Sequence, residues 1–139
     1  MFRLFPFAPL FTLTALLLNP CDSMAQETYY ISPTGHDAAS GTSANEAWQT
    51  INKLNQETFS PGDRILFERG GSWLGMFHLK GSGSQSQSIV IGAYGDVDMP
   101  HPVLDGNGYQ AALLIYNDSF ITVENLVFTN QASVSYTHL

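Results

Sequence analysis

Positive charge is scarce in this sequence. Only five of its 139 residues are Lys or Arg, against twelve Asp or Glu, which gives a formal net charge of −7. Beyond the N-terminal segment the cations are Lys53, Arg64, Arg69 and Lys80, and they form no cluster. Proteins that bind nucleic acid neutralise phosphates with a basic patch. The charge pattern therefore argues against nucleic acid as a partner and indicates an acidic, soluble surface.

Long apolar runs are also rare, and the one that exists lies at the N-terminus. Arg3 precedes an almost wholly apolar stretch over residues 4–18, and Ser23 and Ala25 then supply small residues three positions and one position before Gln26. This order is typical of a secretory signal peptide. We expect residues 1–25 to be removed by cleavage between Ala25 and Gln26, and the mature protein to be secreted, periplasmic or displayed on the cell surface.

Two other interpretations of this segment remain open. A membrane anchor would need about 20 apolar residues, and the run falls short of that length. A lipoprotein would use Cys21, but Pro20 directly before it fits a lipobox poorly. Because Cys21 is the only cysteine, cleavage after Ala25 leaves a chain without disulfides or thiol chemistry. We expect no membrane span in the mature protein.

Only one segment has helical periodicity. Its apolar positions are Ala47, Trp48, Ile51 and Leu54, and its polar positions are Gln49, Asn52, Lys53 and Asn55. Ser43 or Asn45 can act as its N-cap, and Glu46 suits the first turn beside the helix dipole. A helix with one apolar face must pack on an apolar surface, so the pattern predicts that Trp48, Ile51 and Leu54 are buried.

The rest of the chain has the period of β-strands. Short apolar runs occur at residues 29–31, 64–68, 77–79, 89–91, 103–104, 113–115, 121–123 and 126–128. Turn residues separate them about every ten positions, which indicates an all-β fold. In one run Phe77 and Leu79 share a face, with His78 and Lys80 opposite.

The segment around Asn125 distinguishes a solenoid from a β-sandwich. If one strand ran from Ile121 through Phe128, alternation would turn Asn125 inward and Leu126 and Phe128 outward. A bend at Asn125 lets all the apolar residues face one core, and Asn tolerates the left-handed backbone that such a bend requires. The offset of 32 residues from Ile89 to Ile121 lies within the range of repeat architectures, about 20–50 residues.

Several motifs carry a family resemblance. They are YISPTG at 30–35 with Asp37 and Gly41-Thr42, WQTI at 48–51, PGDRILF at 61–67 with GGSW at 70–73, IVIGAYG at 89–95 with PVLDG at 102–106, and ITVENLVFTN at 121–130. With these motifs the chain resembles the N-terminal region of secreted bacterial right-handed parallel β-helix proteins of the pectate-lyase-like superfamily. The resemblance implies an all-β, right-handed parallel β-helix whose first coils follow an N-terminal amphipathic capping helix.

The resemblance also implies an organisation along the chain. We expect a signal peptide at 1–25, a strand, loop and capping helix at 26–60, the first β-helix coils at 61–133, and a tail at 134–139. The tail does not continue the pattern and resembles translated adapter sequence. The chain is therefore expected to be a truncated piece of a longer protein.

The function implied by the resemblance is action on polysaccharide. The superfamily includes lyases, glycoside hydrolases, epimerases and carbohydrate-binding proteins. We expect the longer protein to be a polysaccharide lyase that acts on an acidic polysaccharide by β-elimination. A glycoside hydrolase is the less favoured enzyme class. The alternative is a non-catalytic carbohydrate-binding or cell-surface protein. Family lyases hold a catalytic base and Ca²⁺ on later coils, and no residue here matches those positions. Catalytic and metal-binding residues stay unassigned, no cofactor is expected in this chain, and it is expected to be inactive alone.

Local candidates for chemistry have simpler structural explanations. Asp96, Asp98 and Asp105 could supply oxygen ligands to Ca²⁺, but Asp beside Gly more often forms a turn. No two of His36, His78 and His101 have metal-ligand spacing. The aromatic residues Trp73, Tyr94, Tyr109 and Tyr116 could stack on sugar rings, but aromatics on strands more often pack in a core.

Overall fold

The computed structural model describes residues 25–132, and this part of the chain is built mainly of short strands. The strands are β1 (Thr28–Ile31), β2 (Arg64–Glu68), β3 (Ser72–Leu74), β4 (Phe77–His78), β5 (Ile89–Tyr94), β6 (Val103–Asp105), β7 (Leu113–Leu114), β8 (Ile121–Val123) and β9 (Val127–Thr129). A 3-10 turn spans Ala44–Glu46 and the α-helix α1 spans Ile51–Leu54. The predicted all-β class is confirmed.

The strands form three sheets in which every pairing is parallel. Their orders are β1-β2-β5-β8, β3-β6-β9 and β4-β7. The chain visits the three sheets in turn, through β2, β3 and β4 and then through β5, β6 and β7. We call one pass through the three sheets a circuit. Each circuit therefore stacks on the previous one.

Register pairing aligns apolar side chains into columns that fill the space between the sheets. Ile65 pairs with Ile91, and Trp73 pairs with Leu104. All four side chains are buried. Phe77 of β4, in the third sheet, and Leu79 directly after this strand are buried as well. The predicted shared face of Phe77 and Leu79 is confirmed, and these columns make one continuous core.

The predicted helix is wrong in its extent. Only Ile51–Leu54 is α-helical, and the Thr50 side chain, not Ser43 or Asn45, caps it by accepting a hydrogen bond from the Lys53 N–H. Trp48 lies before the helix in extended backbone, where it forms a parallel bridge with Ile31. Backbone pairing with β1 has overridden the helical periodicity at this position.

The predicted burial of Trp48, Ile51 and Leu54 is nevertheless confirmed. The Trp48 indole stacks on Tyr29, with ring centroids 5.0 Å apart, and its N–H donates to the Ala39 carbonyl. The segment around Trp48 also pairs with the outer edge of β1. An unpaired strand edge invites association with other chains, so this segment protects the first edge of the stack.

One further difference from the sequence expectation concerns a short strand. Residues 72–74 were not among the runs expected to form strands, but Ser72–Leu74 is a strand that pairs with β6. The bend at Asn125 is confirmed, because this residue has a left-handed φ of +57° between β8 and β9. After it, Phe128 pairs with Leu104 and therefore lies in an inward column.

The last described strands leave part of the core uncovered. Val123 is 38% exposed and Phe128 is 42% exposed, whereas their register partners Ile91 and Leu104 are fully buried. These two side chains, with Ala112 and Leu113, line an apolar hollow of about 380 Å³. We call this surface the open end; within residues 25–132 nothing stacks on it.

The predicted signal peptide and the tail at 134–139 lie outside the described residues. Among the helices of residues 25–132, none has the length and hydropathy of a membrane span.

Candidate functional site

Two of the three acidic residues suggested as cation ligands serve turns. The Asp96 carboxylate accepts the backbone N–H of Asp98 at 3.0 Å. The Asp105 carboxylate accepts the N–H groups of Asn107 at 2.7 Å and Gln131 at 3.2 Å. The hydrogen bond from Asn107, followed by one from the Thr129 side chain, holds the pKa of Asp105 below its usual value. Within residues 25–132 no group of three or more His, Cys, Asp or Glu residues could hold a metal ion.

The histidines lie in separate surroundings. The His36 ring accepts the N–H of Ala38 at 3.1 Å. The His101 ring lies 3.3 Å from the Arg69 guanidinium. His78 is half-buried on β4. Each of the first two therefore contacts another protein group.

The four aromatic candidates divide into two kinds. Trp73 is buried, meets Phe67 edge-on at 5.0 Å and donates its indole N–H to the Gln49 carbonyl, so it is a core residue. Tyr94 is half-buried on the outer face of the first sheet. Tyr109 and Tyr116 are 59% and 68% exposed, which leaves their rings accessible to a ligand.

A small polar cluster surrounds Tyr94. Its ring meets Tyr30 edge-on at 5.0 Å, and Glu68, its register neighbour, accepts a hydrogen bond from the Ser32 hydroxyl. Burial, followed by the charge of Glu68, raises the pKa of Tyr94 to about 12. The Tyr94 phenol therefore stays protonated at neutral pH and cannot serve as a general base there.

A concave site forms where three distant segments meet. It is a cavity of about 480 Å³, a volume within the usual range of ligand pockets. Its walls are the segment containing α1, the turn between β3 and β4, and the turn between β6 and β7. The lining residues are Thr50, Ile51, Asn52, Asn55, Leu74, Gly75, Met76, Asn107 and Tyr109. We call it the amide cleft, because three asparagines line it.

One wall of the amide cleft is fixed by Asn55. Its side-chain N–H donates to the Met76 carbonyl at 2.9 Å, and its oxygen accepts the His78 N–H at 2.8 Å. Both polar atoms of the amide are thus used to tie α1 to β4. Asn55 therefore positions the cleft rather than offering a free group to a ligand.

The opposite wall is a tight turn that presents Tyr109. Asn107 and Gly108 both have left-handed backbone, with φ of +48° and +82°. The Asn130 side chain clasps this turn, accepting the Gly108 N–H at 2.9 Å and donating to the Tyr109 carbonyl at 2.8 Å. The backbone of Tyr109 is thereby fixed while its ring stays largely exposed.

Sequence reasoning named Tyr109 as a candidate for sugar stacking but missed the cleft around it. Asn52 was assigned to the polar face of a helix, and Leu74 was given no role. No local signal joins these residues, because the cleft unites residues 50–55, 74–76 and 107–109 across two circuits of the chain.

Comparison with known proteins identifies relatives that act on carbohydrate. No family model matches the chain. It is 33% identical over 136 residues to a lacto-N-biosidase of Bifidobacterium longum subsp. longum, an alignment that covers 78% of this chain and 8% of that enzyme. The crystal structure of the native GH136 lacto-N-biosidase from Eubacterium ramulus superimposes with a TM-score of 0.71 and 29% identity, covering 78% of this chain and 21% of that one.

The chain thus spans less than a quarter of the length of either relative. A selenomethionine form of the Eubacterium ramulus enzyme gives the same TM-score with 30% identity.

These relatives correct the expectation drawn from the family resemblance. The assignment to the pectate-lyase-like superfamily, and with it the polysaccharide lyase, is wrong, because both named relatives are lacto-N-biosidases. The alternative of a non-catalytic carbohydrate-binding protein fits these enzymes no better. The motifs at 61–67 and 121–130 describe strands and turns, and such residues report a backbone shape rather than a reaction. The connection to carbohydrate is retained.

Proposed function

We propose that this chain forms the N-terminal coils of a right-handed parallel β-helix in an exported glycoside hydrolase that acts on oligosaccharides carrying a lacto-N-biosyl unit. The observation that carries the proposal is the likeness to lacto-N-biosidases in both sequence and structure, 33% identity with one and a TM-score of 0.71 with another. The substrate class comes from the name of those enzymes.

The β-helix part of the proposal is supported by the topology. Three parallel sheets are visited in a fixed order, and Ile65, Ile91 and Val123 stack in one inward column. Parallel strands joined through a crossover are almost always connected in the right-handed sense. A solenoid of this kind gains stability from each added neighbour.

The open end supports further coils on the C-terminal side. Val123 and Phe128 lie in inward columns whose earlier members are fully buried. Exposing such side chains is unfavourable by about 25 cal/mol per Å² of apolar surface. Another circuit of strands would bury them as β5 and β6 bury the circuit before.

We place the catalytic pair of the proposed enzyme outside residues 25–132. Glycoside hydrolases generally use two carboxyl groups, one as acid and one as nucleophile or base. Here Asp37, Asp63 and Asp105 accept backbone N–H groups and so hold loops and turns in place. We therefore assign this chain a structural role in the enzyme, in which its coils support the coils that carry the catalytic residues. A calcium ion in the full-length protein, which the family resemblance left possible, stays a prediction.

Export remains part of the proposal. A signal peptide over residues 1–25 would deliver the enzyme to glycans outside the cytoplasm. The absence of cysteine after Cys21 suits an exported solenoid that is held together by its ladders and core. Amino-terminal sequencing of secreted protein should give Gln26 as the first residue, and an intact Met1 on membrane-bound material would contradict it.

The proposal can be tested by exchange with a relative. Residues 25–132 of this chain would replace the segment of the Eubacterium ramulus enzyme that superimposes on them. We expect a soluble chimera that unfolds cooperatively and releases lacto-N-biose from a lacto-N-biosyl glycoside. The control chimera carries Ile91→Asp, which places a charge in the fully buried column and should abolish folding. An insoluble or inactive first chimera, beside an active parent enzyme, would contradict the structural equivalence.

A further inference from the structure

The amide cleft combines an exposed aromatic ring with uncharged polar groups. Tyr109 and Leu74 are 59% and 67% exposed at its rim. Asn52 lines the wall formed by α1, and its amide makes no hydrogen bond to any described residue. A sugar presents an apolar C–H face and a rim of hydroxyl groups. An aromatic ring, an aliphatic side chain and a free amide match those two aspects.

The cleft is also built before any ligand arrives. Asn55 locks one wall through two hydrogen bonds, and Asn130 clasps the turn that presents Tyr109. The bottom is formed by Ile51, which is buried. A pre-formed site loses little conformational entropy on binding, which favours affinity.

The charges of the surroundings define the class of sugar. No Asp, Glu, Lys, Arg or His lines the cleft. Among nearby cations, Lys53 pairs with Glu57 and Lys80 donates to the Asn55 carbonyl. The carboxylate of a uronic acid would have to lose water without an opposite charge to receive it, which is costly. The cleft therefore suits a neutral sugar, contrary to the acidic polysaccharide expected from the sequence.

We propose that the amide cleft is a binding subsite for a neutral sugar, with the ring of Tyr109 against the apolar face of the sugar and the Asn52 amide on its hydroxyl groups. Its place in the protein rests on the proposed function, since a subsite here would hold part of a glycan on which later coils act. The binding itself is a property of the chain and can be measured without catalysis.

The test is a titration of the full chain, isotopically labelled, with lacto-N-biose as the neutral probe and digalacturonate as the acidic one. We expect lacto-N-biose to shift the NMR signals of the Asn52 amide and the Tyr109 ring, and digalacturonate to leave them unchanged. Tyr109→Ala should weaken binding by about tenfold, the upper range for an aromatic contact. Tyr109→Phe keeps the ring and should weaken it by about threefold or less.

The matched control is Tyr116→Ala, because Tyr116 is similarly exposed and does not line the cleft. It should bind as the unchanged chain does. The backbone amide spectrum of each variant verifies that the fold is intact. The proposal is overturned if lacto-N-biose shifts no cleft signal, if digalacturonate binds as well, or if Tyr116→Ala weakens binding as much as Tyr109→Ala. An active chimera without sugar binding at the cleft would overturn this subsite alone and leave the proposed function standing.

Discussion

Leu104 and Phe128 are register partners in neighbouring strands, and both lie in the same inward column. Leu104 is fully buried, whereas Phe128 is 42% exposed at the open end. The same position in two successive circuits is thus core in one and surface in the other. An exposed apolar face next to unpaired strand edges favours association between copies.

A change to Gln should affect self-association at position 128 and stability at position 104. Phe128→Gln removes part of the open end and should reduce self-association of the chain, with little loss of folded structure. Leu104→Gln buries an amide without a partner and leaves a less well-packed core, so it should destabilise the fold by several kcal/mol, about 2–5. Sedimentation velocity measures the association, and thermal unfolding measures the stability. Equal self-association of the unchanged chain and Phe128→Gln would contradict the role of the open end.

The Trp48 indole should be among the most sensitive parts of the fold. Trp48→Ala removes its stacking on Tyr29 and its hydrogen bond to Ala39, and should lower the free energy of unfolding by about 3–5 kcal/mol. Gly41→Ala tests the same contact from the other side. Gly41 has a φ of +76°, and a Cβ there would lie 2.3 Å from Trp48 Cε2.

Chemical denaturation measures the free energy of unfolding of both variants and of Gly75→Ala. The comparison separates the effect of a steric clash with Trp48 from the effect of backbone strain. Gly75 also has a positive φ, of +119°, but a Cβ there meets no atom within 4 Å. Gly41→Ala should therefore lower the free energy of unfolding clearly more than Gly75→Ala does. A Gly41→Ala variant as stable as Gly75→Ala would show that the Trp48 contact is not tight.

The bend at Asn125 predicts a dependence on backbone preference. Its φ of +57° suits Gly and Asn and disfavours residues with a larger or branched Cβ. We expect Asn125→Gly to keep the stability of the chain and Asn125→Ala to lower it by about 1 kcal/mol. Denaturant midpoints of the two variants measure the difference. An Asn125→Ala variant at least as stable as Asn125→Gly would contradict a left-handed corner at this position.

Asp37 should make the stability sensitive to acid. Burial alone would raise the pKa of Asp37, but hydrogen bonds from the Thr50 hydroxyl and from the N–H groups of Gln49 and Thr50 outweigh burial and lower it. A carboxyl with a depressed pKa in the folded state adds stability above its unfolded pKa. That stability is lost as the pH falls through the folded pKa.

Thermal unfolding from neutral pH to below pH about 4, the ordinary range for an aspartate, measures this effect. Asp37→Asn should lower the melting temperature at neutral pH and flatten its fall on acidification. Asp98→Asn is the control, because the Asp98 side chain is exposed and accepts no hydrogen bond from residues 25–132. If Asp37→Asn and the unchanged chain lose stability in parallel with acid, Asp37 does not anchor this loop.

Most strand positions, though not that of β3, were predictable from the sequence because the period of apolar residues fixes which side chains face inward. The bend at Asn125 followed from the same alternation. The helix around Trp48 was overestimated, because the backbone of Trp48 pairs with β1 instead of forming helical hydrogen bonds. The amide cleft could not be predicted, since Asn52, Leu74 and Tyr109 become neighbours only through stacking. The reaction type was wrongly inferred because the recognisable motifs build turns and strands, and such residues report a backbone shape rather than a reaction.

The proposed glycoside hydrolase function is tested most directly by the reaction that the chain performs when it is extended through the downstream sequence of its gene. The purified protein would be incubated with a lacto-N-biosyl glycoside and with polygalacturonate, and its products weighed by mass spectrometry. Hydrolysis adds one water to the combined mass of the products, whereas β-elimination adds none and leaves an unsaturated sugar. We predict saturated lacto-N-biose from the first substrate and no product from the second. An unsaturated uronate product from polygalacturonate would contradict the account.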